Sequence, residues 1–197
     1  MKRLIIYLFT IILVFTLCSC QNDNSNNVRK KSNDSVKVVL LDVLNGHNDF
    51  TFNKTEQKNI EKFTFSTEYN ALNAFNPQGY AFVDCNDDNT DELLIIDASL
   101  QFVLLLRYEN NTVYGYILDN IDFKSVKTDG RFKSRKNAFT LIQSVKFDGI
   151  DIKIEELAYF DDKTNIFKLN NKVCSKEQAD EYLKKWDSNK NIEWETI

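Results

Sequence analysis

From Tyr80 onward the chain alternates between apolar runs and short polar breaks rich in Asn, Asp and Gly. "YAFVD" and "ELLIIDA" have the length and composition of short strands. "QFVLLLRYENNTVYGYIL" sets two apolar and aromatic runs on either side of Asn110-Asn111, and because Asn tolerates positive φ the segment predicts a hairpin. "SVKTDGRFKS" and "FTLIQSVKFDGIDIKIEELAYF" each contain Asp-Gly, at Asp129-Gly130 and Asp148-Gly149, the dipeptide of tight turns. After the second, Ile150, Ile152 and Ile154 alternate with Asp151, Lys153 and Glu155, which predicts one packed face and one wet face.

The period changes near the C-terminal end. Ser175 and Gln178 have the spacing of a capping box, and Ala179, Tyr182, Leu183 and Trp186 then recur at i, i+3, i+4, i+7. This predicts a helix lying on the sheet, with "NIEWETI" closing as a last short strand. The fold class expected is α+β, predominantly an antiparallel β meander with a C-terminal helix packed on the sheet. Two stretches are less legible. "VKVVLLDVL", from Val36 to Leu44, fits a buried strand or a short helix, and Thr55 to Phe75 mixes helical with alternating periodicity.

The N-terminal end has a different pattern. Lys2 and Arg3 precede Leu4 to Leu17, fourteen uncharged and mostly apolar residues, which have the form of an export signal. The stretch is shorter than the roughly 20 residues of a membrane span. Leu17-Cys18-Ser19-Cys20 resembles a bacterial lipobox, in which the last cysteine is acylated and becomes the new N-terminus. The resemblance implies a lipoprotein signal peptide over residues 1–19, a palmitate-type lipid on Cys20, and anchoring to the cell membrane on its extracytoplasmic face. Residues 21–37 contain only Val28 and Val36 as apolar positions, so residues 20–37 read as the lipidated Cys and a flexible tether. Residues 38–197 then form a single globular α+β domain.

Charge and cysteine usage narrow the partners. The formal net charge is −4, and about −6 without Lys2 and Arg3, which argues against nucleic acid. Lys124, Lys127, Arg131, Lys133, Arg135 and Lys136 cluster around the Asp129-Gly130 turn and read as a solvated hairpin that could also touch anionic headgroups. Cys85 and Cys174 are an exported pair that could form a disulfide, although spacing alone cannot bring them together. Phe102, Tyr108, Tyr114 and Tyr116 read as core and cross-strand aromatics before any ligand platform.

One stretch concentrates chemistry. Between Asp84 and Glu92 stand five carboxylates, those of Asp84, Asp87, Asp88, Asp91 and Glu92. Counting Asp84 as position one puts Asn86 at three, Asp88 at five, the Thr90 carbonyl at seven and Glu92 at nine. Calcium takes about six to eight oxygen ligands, and alternate residues of a curled loop can converge on it. Five like charges in so short a loop also repel unless a cation or shifted pKa values relieve them. The expected cofactor is a structural Ca²⁺. Position twelve is Ile95, so the loop is not an EF-hand. It resembles the strand-loop-strand calcium loops of integrin-type repeats, except that position six is Asn89 where those have Gly.

The loop, "LLRYENNTVYGYIL", "KTDGRF" and "VCSKEQADEYLKKWDSNKNIEW" occur in an order that resembles exported lipoproteins of Gram-positive, clostridial-type bacteria, which have a single DxDxDGxxEL loop. The resemblance implies a fold and a location and no particular activity. His47 is the single histidine and reads as a solvated loop residue, so a His-dependent triad or multi-His zinc site is excluded. The function expected is a calcium-stabilised binding or accessory module of the cell envelope with an unknown envelope partner. A carboxylate-dependent hydrolase acting on envelope carbohydrate is the alternative, since its pair of acids is set by distance in space and not by sequence.

Overall fold

The computed structural model describes residues 24–52, 61–63, 76–98, 102–119, 121–136 and 139–197. The expected signal peptide, Cys20 and most of Thr55 to Phe75 lie outside the described residues. The chain divides into two compact units, residues 1–35 and 36–197.

Helix α1 spans Asn24–Leu44. Val36 to Leu44 is therefore helical, and the stretch read as a tether is helical from Asn24. Within the larger unit, Val36, Leu40 and Val43 are buried at i, i+4, i+7, so the packed region begins two residues before the expected boundary at residue 38. The remaining elements are strands β1 (Phe50–Phe52), β2 (Glu61–Phe63), β3 (Pro77–Val83), β4 (Glu92–Asp97), β5 (Phe102–Glu109), β6 (Thr112–Asp119), β7 (Ile121–Val126), β8 (Phe132–Lys136), β9 (Phe139–Asp148), β10 (Asp151–Asp161), β11 (Ile166–Leu169) and β12 (Lys172–Val173), helix α2 (Lys176–Ser188), and strand β13 (Glu195–Thr196).

These strands form two sheets, ordered β13-β3-β4-β5-β6-β1-β2 and β12-β11-β10-β9-β8-β7. Strands β3 to β6 and β7 to β12 pair with their sequence neighbours as antiparallel meanders, and β1 joins β6 in parallel at Thr51 and Phe52. The fold class is α+β with a β meander, as the periodicity indicates.

Strand alternation sorts the core into three layers. Ala81, Val83, Leu94, Ile96, Val103, Leu105, Tyr116 and Leu118 of the first sheet meet Val126, Phe132 and Val145 of the second. Opposite-parity residues of the first sheet, Leu93, Ile95, Leu104 and Leu106, face Val36, Leu40 and Val43 of α1. Opposite-parity residues of the second sheet, Ile142, Ala158, Phe160 and Phe167, face Ala179 and Trp186 of α2. The Ser175 and Gln178 capping box closes reciprocally, and β13 pairs with β3 as the closing strand. Each sheet thus has one face on the other sheet and one face under a helix, a stacking that a linear pattern of strands does not reveal.

Two hairpin expectations need correction. Asp148 pairs with Asp151, so the central pair of that turn is Gly149-Ile150, with Gly149 at φ +60° as the first central residue. Ile150 and Ile154 are 36% and 38% exposed, and of the three isoleucines Ile152 packs against the inter-sheet core. Asp151, Lys153 and Ile154 are all exposed, so alternation at this end of β10 does not separate a wet from a dry face. Asn110 and Asn111 do take positive φ, 50° and 61°, at the β5–β6 turn.

Candidate functional site

The acidic loop joins β3 to β4, two strands of the first sheet. Its curl is made by its own side chains. The Asp84 carboxylate accepts the backbone N–H groups of Asp88 (3.1 Å) and Asn89 (2.8 Å), and Asp88 accepts that of Thr90 (2.8 Å) and the Asn86 amide (2.7 Å). Asp87 and Asn89 have positive φ, 62° and 68°. Asn89 thus takes a left-handed conformation, the one Gly adopts most readily, and Asp87 adds a second such residue. The loop places Asp84, Asn86, Asp88 and Thr90 within one hydrogen-bonded turn.

Glu92 is different. It opens β4, is 1% exposed, and its Oε2 accepts the Cys85 N–H at 2.8 Å. Its Oε1 has no hydrogen-bond partner and lies 4.0 Å from Arg107 Nε, close enough for charge attraction and too far for a hydrogen bond. Burial pushes the carboxyl up to about 8; the Cys85 N–H opposes that, Asp88 and Asp84 add to it, and Arg107 opposes it. Asn86 Oδ1 is also buried without a partner. Positions three and nine of the loop therefore each hold a buried oxygen with unused acceptor capacity, which fits a hard cation. Among the described residues no three His, Cys, Asp or Glu side chains form a metal-holding group by themselves, so a calcium ion here would depend on the Asn86 and Thr90 oxygens as well.

Contacts from remote parts of the sequence hold the loop. Lys37 of α1 pairs with Asp91 at 2.6 Å. Gly130, at φ +73°, lies against the Asp84-Cys85 backbone so closely that a Cβ would overlap the Cys85 Cα. Arg107 reaches Glu109 at 3.0 Å, stacks 4.0 Å from the Phe147 ring centre and donates to the Gly149 carbonyl at 3.2 Å, while Tyr116 donates to the Ile150 carbonyl at 2.7 Å. The β9–β10 turn is thereby tied to the strand that bears Glu92's cationic neighbour.

The basic cluster is not a solvated patch throughout. Lys127 is 4% exposed and donates to the Asn189 carbonyl just past α2, with Trp186 beneath it at 5.0 Å. Arg131 pairs with Asp129 and also lies over Trp186, and Lys133 is 3.7 Å from Asp187. Three cations thus gather at the C-terminal end of α2, where the helix dipole favours them. The side chains of Arg135 and Lys136 lie outside the described residues.

Of the other candidates, Cys85 is buried and Cys174 half-buried, and both are free thiols. Burial, with Glu92 beside it, holds the Cys85 thiol well above its usual range, which makes it unreactive. Tyr116 is core, Phe102, Tyr108 and Tyr114 pack half-buried against core residues, and His47 is exposed.

Sequence reasoning missed a cleft of about 330 Å³ at the open end of the sandwich, lined by Ile117 and Asp119 of β6 and by Phe132, Ser134, Leu141, Gln143 and Ile154 of the second sheet. The available signal was Ser134 and Gln143, polar residues at positions whose strand neighbours Phe132, Leu141 and Val145 point into the core. A second hollow of similar size follows β10 past Glu155 and Glu156, and Glu155 is paired with Lys146 at 3.0 Å.

No family model, curated protein or solved structure matches the chain.

Proposed function

We propose that this chain is a lipid-anchored extracytoplasmic protein whose domain is clipped by one structural calcium ion and serves as a binding or accessory module of the cell envelope. Cys20 is the residue that takes the lipid, and Asp84, Asn86, Asp88, Thr90 and Glu92 supply the calcium ligands. The observation that supports the calcium clip most strongly is the pair of buried oxygens without partners, Asn86 Oδ1 and Glu92 Oε1, at two alternate positions of the loop.

Calcium in this position would offset the charges of Asp84 and Asp88, whose repulsion adds to the burial that raises Glu92. Its role is structural, because the ligands sit between two paired strands and the loop is braced by Lys37 and Gly130. Within the inter-sheet cleft binding is favoured over hydrolysis, since Asp119 is the single carboxylate among its described lining residues. Glycoside hydrolysis needs two carboxyl groups about 5 to 9.5 Å apart.

The anchoring is tested by growing cells with a clickable palmitate analogue. Label and membrane fractionation are expected for the parent chain and lost for Cys20→Ala. The metal is tested by equilibrium dialysis against ⁴⁵Ca²⁺, with one ion per chain expected at a dissociation constant of about 10⁻⁴ to 10⁻³ M. Absence of label refutes the anchor, and absence of bound ⁴⁵Ca²⁺ at millimolar concentration refutes the clip.

A further inference from the structure

We propose that the cleft between the two sheets binds a secondary amide bearing a small alkyl group, the chemistry shared by N-acetylated sugars and short peptides. This deepens the reading of the domain as an envelope-binding module and rests on it for biological context.

The cleft has a built polar floor. Ser134 is 4% exposed and donates to Gln143 Oε1 at 2.6 Å. The two residues are diagonal neighbours on one sheet face, since Phe132 pairs with Gln143 and Ser134 with Leu141. With its oxygen accepting from Ser134, Gln143 keeps Nε2 donors that have no protein partner among the described residues. An inward-facing polar pair in an inter-sheet core costs stability relative to apolar packing, so filling the space with water or ligand is part of the design of the site. Asp119, exposed at the end of β6, likewise has no partner among the described residues and lies at the rim.

These groups select a ligand. The free Nε2–H donors require an acceptor and the Asp119 carboxylate requires a donor. A free carboxylate would meet Asp119 and an overall acidic chain, and an ammonium ion alone would leave the Gln143 donors unmet. A secondary amide presents one C=O and one N–H in a single flat group. Phe132, Leu141 and Ile154 then offer apolar wall for its alkyl arm. The volume of about 330 Å³ is at the lower end for small-molecule sites. For so few heavy atoms the affinity is expected to be about millimolar.

Saturation-transfer NMR on the full chain in detergent tests this, in EDTA and again in calcium. The probes are N-acetylglucosamine and N-acetylalanine methylamide, with glucosamine and alanine as amide-free controls. Transfer to the acetyl methyl of either amide probe, absent from the controls and lost in Gln143→Leu, is the expected result. A response from the sugar alone or the peptide alone assigns the source, and responses from both support the shared amide chemistry. Asp119→Ala, at an exposed position that leaves the fold intact, is expected to weaken binding at least several-fold. No transfer to either probe, equal transfer to the controls, or unchanged binding in both variants overturns the proposal. Because the loop lies in a different layer connection, amide binding with no calcium response would sink the clip alone, and a calcium response with no amide binding would sink the cleft alone.

Discussion

A carboxyl buried at the head of β4 can avoid an unscreened charge in two ways, by binding a proton or by facing a cation. Without metal, Glu92 is pushed from its ordinary 4.5 up to about 8, chiefly by burial. The folded pKa lies above the unfolded one, so the folded state holds the proton more tightly. The contribution to stability is complete below about pH 4.5 and is lost as pH rises to about 8, with a slope of at most about 1.4 kcal/mol per pH unit. Calcium binds the ionised form, so its affinity is expected to rise with pH over the same range and then level off. Glu92→Gln keeps an acceptor for the Cys85 N–H and has no proton to lose. In EDTA its melting temperature should exceed that of the parent at pH 8.5, and its response to calcium should be greatly reduced; denaturation curves across pH measure both. Gly130→Ala tests the brace, with destabilisation of about 2 kcal/mol or more expected in urea titrations, because a Cβ there meets the Cys85 backbone at positive φ. The spacing of acidic residues made the loop legible in the sequence, and Asn89 takes the left-handed conformation open to the Gly it replaces. The burial of Glu92 and its neighbour Arg107 were not legible, since both come from the pairing of β4 with β5.

Helices α1 and α2 show how far periodicity reaches at the scale of elements. The α2 stripe and its cap were plain in the sequence because all of its signals are local. Ser175→Ala should cost about 1 kcal/mol in thermal or urea unfolding, the usual effect of losing an N-cap. Helix α1 was ambiguous because its buried stripe of Val36, Leu40 and Val43 occupies only the last part of a polar segment, and a nine-residue apolar run fits either structure. Leu40 is fully buried against the first sheet, so Leu40→Ala should destabilise the domain by about 2 to 5 kcal/mol. A measured loss below about 0.5 kcal/mol would show that this turn belongs to a tether after all. The basic cluster was misread for a related reason. Charge patterns along a strand do not disclose that Trp186, fifty-odd positions later in the chain, provides a surface for Lys127 and Arg131.

At the scale of the whole molecule, the meander order, the hairpins and the α+β class follow from local turn chemistry in the sequence. The division into two stacked sheets, each under a helix, follows from which faces find partners, and that information is nonlocal. The inter-sheet cleft arises from the same nonlocal arrangement, which is why Ser134 and Gln143 passed as ordinary strand residues. The acidic loop connects these levels, with Lys37 from α1, Arg107 from β5 and Gly130 from the β7–β8 turn converging on it. A cation there would therefore stabilise the larger unit as a whole and not the loop alone. The most direct measurement is thermal melting of the chain from residue 21 at neutral pH, in EDTA and in 1 mM calcium, with Asp84→Ala alongside. For a dissociation constant of about 0.1 mM, mass action gives about 1.4 kcal/mol, a rise of roughly 3 to 6 °C, and Asp84→Ala should abolish it. Superimposable melts with and without calcium would contradict the calcium clip and leave Glu92 as a carboxyl that escapes its charge by protonation alone.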